Sequence, residues 1–277
     1  MDTSEGFKFV SRRKRGKRIS NAVSRNGEPR NTEETEFDAD KLSRRLSEAQ
    51  SELATSEYVN EVFQALVKCQ KLLSIHRIEE ILCYGLGHFS DHVSSRYQLA
   101  LLLEIRKRYN VSKVCLYDPL FFHSEVQCLE SLGCQVLKNN EEGKRRVETT
   151  TLVYLPHCPK QLTNNFLYAN WSGMLKNCIL LSNSFKQILE SHTSAVLKST
   201  ANYIVRINPF VEEFELHNSF RCNSIFNDCS LHVFTEKNLN KVSEIFWKDK
   251  EEPEYQTEDL EFITNSVVQN LKLDTGV

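Results

Sequence analysis

The residues best placed to bind a ligand begin with a Gly-x-Gly turn at Gly85 and Gly87. A short apolar run, residues 81–84, precedes this turn, and a helical pattern follows it from about Ser90. This order predicts a first strand, a turn that lets a ligand approach the backbone, and a helix whose free N–H groups favour anions. Ser90 stands where the dinucleotide fingerprint has its third glycine, which weakens the motif. The alternative is a tight strand-to-helix turn that binds nothing.

Polar residues also follow three later runs that read as strands. Asp118 follows residues 113–117, at the position where such folds place an acid for ribose hydroxyls. Because the carboxyl ends of parallel strands meet at one edge, we expect one cleft there, for S-adenosylmethionine or another nucleoside ligand such as NAD. The candidate ligand-binding residues are Gly85, Gly87, His88, Ser90, Asp118, His157, Cys158 and Asn183.

Metal, haem and catalytic chemistry are less well supported by the residues. His88 and His92 are four apart at a helix start, which suits a metal, but no third ligand is near, so surface histidines are the favoured interpretation and no metal site is predicted. Cys158 precedes a proline and could project a thiolate to haem, or simply end a strand. No nucleophile elbow, Walker loop or His-Glu-x-x-His motif is present, so the sequence leaves the catalytic residues, if the protein is an enzyme, unknown.

The composition is that of an ordinary globular protein. The chain has 277 residues, of which 40% are hydrophobic and 26% charged, with no apolar run of membrane-spanning length. The first residues have no apolar stretch of the secretory type, so we predict no signal peptide. Nine cysteines without a Cys-x-x-Cys pair favour free thiols in a reducing compartment over a zinc ribbon. Residues 1–30 carry nine of the 35 basic residues and three of the 37 acidic ones, so the remainder is acidic and does not resemble a nucleic-acid platform.

Four segments follow from these patterns: a disordered tail at 1–40, a helical segment at 41–76, the main domain at 77–250, and an acidic tail at 251–277 with a short helix near 258–271. The apolar stripe of the helical segment predicts packing on the main domain, with a partner-binding helix as the alternative. A basic cluster in the first tail is an import signal, a nucleic-acid contact or a solvated stretch. Its members are Arg12, Arg13, Lys14, Arg15, Lys17 and Arg18. We expect a cytoplasmic protein, and if the basic cluster is an import signal, we expect the protein in the nucleus as well.

Alternating apolar runs and helical patterns predict an α/β, Rossmann-like fold with a mostly parallel, doubly wound sheet of about seven strands. Strands six and seven are predicted at 203–207 and 230–234, and an antiparallel edge pair is expected because no crossover helix separates them. The helix after the second strand is predicted to begin with a capping box at Ser124 and Gln127. Asp228 and His232 are predicted to share one face of the last strand, either as packing residues or as part of the cleft.

Several short motifs, in one order over residues 75–235, together resemble the SRR-like ("sensitivity to red light reduced") domain. They are Cys83-Tyr84-Gly85-Leu86-Gly87-His88-Phe89-Ser90, Ser95-Arg96-Tyr97-Gln98-Leu99-Ala100, Tyr117-Asp118-Pro119, Asn140-Glu141-Glu142-Gly143-Lys144-Arg145, Tyr154-Leu155-Pro156-His157-Cys158-Pro159, Ala169-Asn170-Trp171, Asn183-Ser184-Phe185 and Phe226-Asn227-Asp228-Cys229-Ser230-Leu231-His232-Val233-Phe234. The resemblance implies a role in circadian clock input and, in animals, in regulation of haem biosynthesis. It implies no particular reaction or substrate, and it strengthens the haem hypothesis for Cys158.

Two function classes follow. The first, which we favour, is a regulatory protein that senses a small ligand in a Rossmann-like cleft and acts with protein partners of unknown identity. The second is an S-adenosylmethionine-dependent, methyltransferase-like enzyme. The missing third glycine and the lack of an acid–base pair or nucleophile weigh against the second class.

Overall fold

A seven-stranded sheet forms the centre of the protein in a computed structural model that describes residues 39–256 and 260–265. Its strands are β1 (Glu80–Tyr84), β2 (Lys113–Tyr117), β3 (Gln135–Val136), β4 (Thr151–Leu155), β5 (Cys178–Asn183), β6 (Glu212–Glu215) and β7 (Cys229–Val233). The spatial order is β3-β2-β1-β4-β5-β7-β6, with β1 to β5 parallel and β7 antiparallel to both neighbours. The predicted parallel sheet with an antiparallel edge pair is therefore confirmed.

Helices cover both faces of this sheet. They are α1 (Ala39–Ala54), α2 (Glu57–Leu73), α3 (Val93–Tyr109), α4 (His123–Ser131), α5 (Lys160–Ala169), α6 (Phe185–Ser191), α7 (Ser194–Thr200), α8 (Asn202–Ile207), α9 (Asn223–Phe226), α10 (Glu236–Leu239) and α11 (Glu244–Lys248), with 3-10 turns at Gly173–Asn177 and Asn208–Phe210. Alternate residues of β1 enter opposite cores: Ile81 and Cys83 pack on one side, Leu82 and Tyr84 on the other. None of these helices is both long and apolar enough to cross a membrane.

The N-terminal helices belong to the first of these cores. Ser56 caps α2 by accepting a hydrogen bond from the Val59 N–H, and a left-handed Ser74 ends it. Val59, Val62 and Leu66 of α2 are buried in the cluster that also contains Ile81 of β1. The predicted packing of this stripe on the sheet is confirmed. The basic cluster at 12–18 and most of the helix predicted near 258–271 lie outside the described residues.

The strand predicted at 203–207 is wrong: these residues form α8, and the sixth strand is β6. The buried positions Tyr203, Ile204 and Ile207 follow helical spacing, which a five-residue apolar run does not distinguish from a strand. β6 reads Glu-Glu-Phe-Glu, and a charged sequence of this kind is typical of a short edge strand that resists pairing with other chains.

The predicted start of the fourth helix is also wrong. Phe122, not Ser124, precedes the first turn of α4, and its backbone N–H donates to the side chain of Glu125, three residues on. Ser124 instead lies inside the first turn. The acid that caps this helix therefore comes from its third position, and the same acid organises the site described next.

Candidate functional site

The carboxyl ends of β1 and β2 border a cleft of about 190 Å³, named the Gly85 cleft below. Its lining residues are Tyr84, Gly85, Tyr117, Asp118, Pro119, Leu120, Asn140, Gly143, Pro159, Leu162, Glu261, Phe262 and Ile263. Three of the residues predicted from the sequence meet around this edge as expected, since Gly85 and Asp118 line the cleft and Cys158 lies directly beneath Gly85. Ligand binding by these residues stays a prediction.

The Gly-x-Gly turn has the backbone geometry that requires glycine. Gly85 has φ +67° and Gly87 has φ +74°, both in the left-handed region. A Cβ added to Gly85 would lie 2.6 Å from the Cys158 sulfur. Because Gly85 has no side chain, the turn that follows β4 packs directly against the turn that follows β1.

Asp118 holds this turn in place. One of its oxygens accepts a hydrogen bond from the Gly87 N–H at 2.7 Å, and the other accepts from the Leu120 N–H at 2.8 Å. Burial raises the pKa of the Asp118 carboxyl, and these two backbone donors oppose that rise. Each oxygen keeps one lone pair, so a ribose hydroxyl would be an additional partner for a carboxylate that already serves the backbone.

Glu125 is the central residue that sequence reasoning missed. It is fully buried on α4 and accepts hydrogen bonds from the backbone and hydroxyl of Ser90, both at 2.8 Å. It also accepts from the Phe122 N–H at 3.0 Å and pairs with His88 Nδ1 at 3.1 Å. The cue in the sequence was a capping-box acid at the third position of α4. Its reach back to Ser90 and His88 depends on tertiary packing.

The two histidines of the turn have different environments. The His88 ring stacks on Phe122 with centroids 3.8 Å apart, while His92 is exposed at the start of α3. Their ring centroids are 6.4 Å apart. Among the described residues, no three His, Cys, Asp or Glu side chains come together as a metal site would need.

The turn after β4 joins the other strand ends. The Cys158 thiol donates to the Tyr84 carbonyl with a 3.1 Å separation, and Asn183 Nδ2 donates to the Cys158 carbonyl at 2.8 Å. His157 takes a left-handed conformation and lies outside the residues that line the cleft, with Nε2 3.9 Å from the Cys229 sulfur. Burial lowers the pKa of His157. Asn183 and Cys158 therefore act here as connections between turns.

Haem ligation by Cys158 does not fit this geometry. An axial thiolate must be deprotonated and must project from the surface, whereas the Cys158 side chain is buried and its hydrogen bond to Tyr84 uses the protonated thiol. Burial also raises the pKa of this thiol well above its usual range. The haem hypothesis for this cysteine therefore finds no support in the described structure.

Thiol labelling tests the protected state of Cys158. In the native protein we expect an aromatic disulfide reagent to modify the exposed Cys222 at least about 100-fold faster than Cys158, because the thiolate is the reactive form and the reagent must reach it. Peptide mass mapping after timed labelling measures both rates. Cys222→Ala is the control, since it should remove the fast phase only. Labelling of Cys158 within the fast phase would mean that the Tyr84 contact opens readily.

A second buried polar pair lies on the antiparallel side of the sheet. His232 of β7 is fully buried, stacks on Phe185 and places Nε2 3.5 Å from Glu213 Oε1. Burial alone raises the pKa of Glu213, but the neighbouring polar groups of His232, Ser184 and Ser230 outweigh burial and lower that pKa to about 2. Asp228 precedes β7 in a left-handed conformation, so the predicted same-face pairing of Asp228 with His232 is wrong.

The sequence of this chain is similar to a known family of proteins and to several of its members. A family model described as "SRR1 domain" matches residues 56–233, more than half of the chain. An SRR1-like protein of Mus musculus is 33% identical over 238 residues, covering 74% of this chain and 94% of the relative. An SRR1-like protein of Drosophila melanogaster is 30% identical, covering 76% of this chain and 75% of the relative. The Protein SENSITIVITY TO RED LIGHT REDUCED 1 of Arabidopsis thaliana is 31% identical over 164 residues, or 56% of this chain and 58% of that protein.

The solved structures that match this chain include two methyltransferases, both at low structural similarity. The 23S rRNA methyltransferase ErmE matches with a TM-score of 0.34 and 10% identity, over 61% of this chain and 68% of that one. The plantazolicin methyltransferase BamL matches with a TM-score of 0.30 and 11% identity, over 71% of this chain and 97% of that one. At TM-scores this low, these matches carry no argument about this chain.

Proposed function

Because this chain belongs to the SRR1 domain family, we propose that it is a regulatory protein that senses a small ligand in the Gly85 cleft. Its proposed pathway is circadian clock input, consistent with the name of the Arabidopsis relative, which refers to red-light sensitivity. Regulation of haem biosynthesis is part of the same proposal, rests on the family resemblance, and requires no haem bound to this chain. A location in the cytoplasm and nucleus rests on the basic cluster at residues 12–18.

The observation that carries this proposal is the composition of the Gly85 cleft. Its walls are largely apolar, with Tyr84 and Tyr117 at the ends of two adjacent strands and Leu162 from α5. Its polar groups include the side chain of Asn140. Aromatic walls favour a flat, unsaturated ring system, and a volume of 190 Å³ suits one such group, for example the base of a nucleoside.

The polar side chains around the cleft support binding rather than catalysis. Asp118 and Glu125 accept hydrogen bonds from the turn that they stabilise, and Cys158 is a buried, protonated thiol. A general base or nucleophile must reach the reacting atom, and these groups are committed to neighbouring backbone. These polar groups therefore hold the turns around a small, largely apolar space.

Methyl transfer from S-adenosylmethionine is the second candidate. It is favoured by one specific observation: Pro156 and His157 follow β4, beside the Gly-x-Gly edge, and burial lowers the pKa of His157 so that a neutral imidazole is available as a base. Because His157 is not among the residues that line the Gly85 cleft, it would have to act on a substrate bound beyond the cleft.

Isothermal titration with S-adenosylmethionine and with NAD tests the proposal on the full chain. We expect one of them to bind one-to-one, and Tyr117→Ala to weaken that binding by about tenfold through loss of ring stacking. Tyr168→Ala is the matched control, because Tyr168 is also partly buried but packs on Tyr203 outside the cleft. Absence of heat with both ligands, in the wild type and in Phe262→Ala, would reject these nucleosides as ligands of the cleft. Release of S-adenosylhomocysteine in the presence of cell extract would favour the enzyme.

A further inference from the structure

The Gly85 cleft is lined in part by the chain's own C-terminal segment, residues 260–265, which we name the strap. Glu261, Phe262 and Ile263 of the strap line the cleft together with Gly85 and Tyr117. Phe262 also packs on the core cluster that contains Tyr84 and Leu162. The strap therefore contributes an aromatic ring to the place where a flat ligand would have to lie.

Specific polar contacts hold the strap on the loop between β3 and β4. Asn140 Nδ2 donates to the Ile263 carbonyl at 2.8 Å, and Asn265 Nδ2 donates back to the Asn140 carbonyl at 2.9 Å. The Asn265 N–H donates to Glu142 Oε1 at 2.8 Å. These reciprocal bonds fix the register of the strap on this loop.

A charged contact anchors the strap on the opposite wall. Lys160 Nζ lies 2.7 Å from Glu261 Oε1, and the Lys160 side chain is only 6% exposed, whereas the Glu261 side chain is 51% exposed. A nearly buried ammonium is costly without a partner, so the strap carboxylate compensates a charge that α5 otherwise leaves unpaired within the described structure. The Tyr255 ring makes an edge-on contact with Phe262, with centroids 5.9 Å apart.

The size of the cleft shows what the strap excludes. Sites for cofactor-sized ligands occupy about 300–1,000 Å³, and the strapped cleft has about 190 Å³. A whole nucleoside cofactor therefore does not fit while Phe262 is in place. Displacement of the strap would open the cleft to solvent on that side and would remove Glu261 from the Lys160 ammonium.

We propose that the strap is an autoinhibitory segment that competes with the ligand for the Gly85 cleft. This inference rests on the proposed ligand-sensing function and adds its regulation. Ligand binding requires the strap to leave the cleft. The protein then has a closed and an open state, and a protein partner could distinguish the two. The apparent association constant for the ligand equals the intrinsic constant multiplied by the fraction of molecules with an open strap.

The test compares the full chain with Phe262→Ala, using S-adenosylmethionine, NAD and 1-anilinonaphthalene-8-sulfonate, an anionic dye that fluoresces in apolar sites. If the strap is open in about one molecule in ten, Phe262→Ala should bind the probe about tenfold more tightly, one-to-one. Ile245→Ala, which removes a 78% exposed apolar side chain from α11, is the control and should change nothing. A synthetic peptide of residues 255–265 should displace the probe from Phe262→Ala, and the same peptide with Phe262→Ala should not.

The possible outcomes distinguish failure of the autoinhibition proposal from failure of the ligand-sensing proposal. Unchanged or weaker probe binding in Phe262→Ala would overturn autoinhibition, since a lid that closes over its ligand loses affinity when its aromatic ring is removed. Tighter probe binding without any binding of S-adenosylmethionine or NAD would keep the strap and reject these nucleosides as ligands. Tighter binding of one nucleoside by Phe262→Ala, together with the probe, would support both proposals.

Discussion

Gly85→Ala is expected to lower the free energy of unfolding by about 3 kcal/mol, because the substitution combines a left-handed backbone with a steric clash. Gly85 has φ +67°, and its new Cβ would lie 2.6 Å from the Cys158 sulfur. That sulfur cannot retreat easily, since Cys158 is buried and donates to the Tyr84 carbonyl. Equilibrium unfolding in urea, followed by tryptophan fluorescence, measures the loss.

Two further variants divide this loss into its causes. Gly173→Ala is the control, because a Cβ there meets nothing within 4 Å and should change stability by less than about 0.5 kcal/mol. In the Cys158→Ala background, Gly85→Ala should cost only the left-handed term of about 1–2 kcal/mol. If the cost of Gly85→Ala is the same in both backgrounds, the clash with the Cys158 sulfur contributes nothing to that cost.

Glu125→Gln is expected to destabilise the protein by about 2–4 kcal/mol, because the fully buried carboxylate accepts hydrogen bonds that an amide cannot all accept. One oxygen of the amide could still serve the Ser90 donors. Its NH2 group, however, would face the Phe122 N–H and His88 Nδ1. The NH2 and the Phe122 N–H are both donors, so the Phe122 N–H would lose its acceptor. Thermal and urea unfolding measure the loss.

Glu130→Gln is the matched control for this prediction, since Glu130 is an exposed acid on the same helix and should be nearly neutral. A second readout separates the role of Glu125 at His88 from stability in general. The carboxylate should hold His88 with its proton on Nδ1, and nitrogen NMR of the imidazole should show this tautomer in the wild type and a mixture in Glu125→Gln. A wild-type His88 already present as a tautomer mixture would contradict the orienting role.

The sequence by itself determined the core of the fold. Apolar runs that end in Gly85, Asp118 and Asn183 predict parallel strands with their polar residues at one edge, and these strands form as expected. The Gly-x-Gly turn is readable for the same reason, because glycine's access to positive φ is a property of the residue alone. Local rules of this kind act over a few residues and do not depend on what packs against them.

Short elements and long-range contacts were decided only by the tertiary structure. The apolar run at 203–207 fits a strand or a helix equally, and packing on α5 selects the helix α8. Glu125 lies 35 residues from Ser90 in the chain, and the strap residue Ile263 lies 123 residues from Asn140. No periodicity relates residues so far apart, because their contact depends on how α4 and the C-terminal segment dock on the finished sheet.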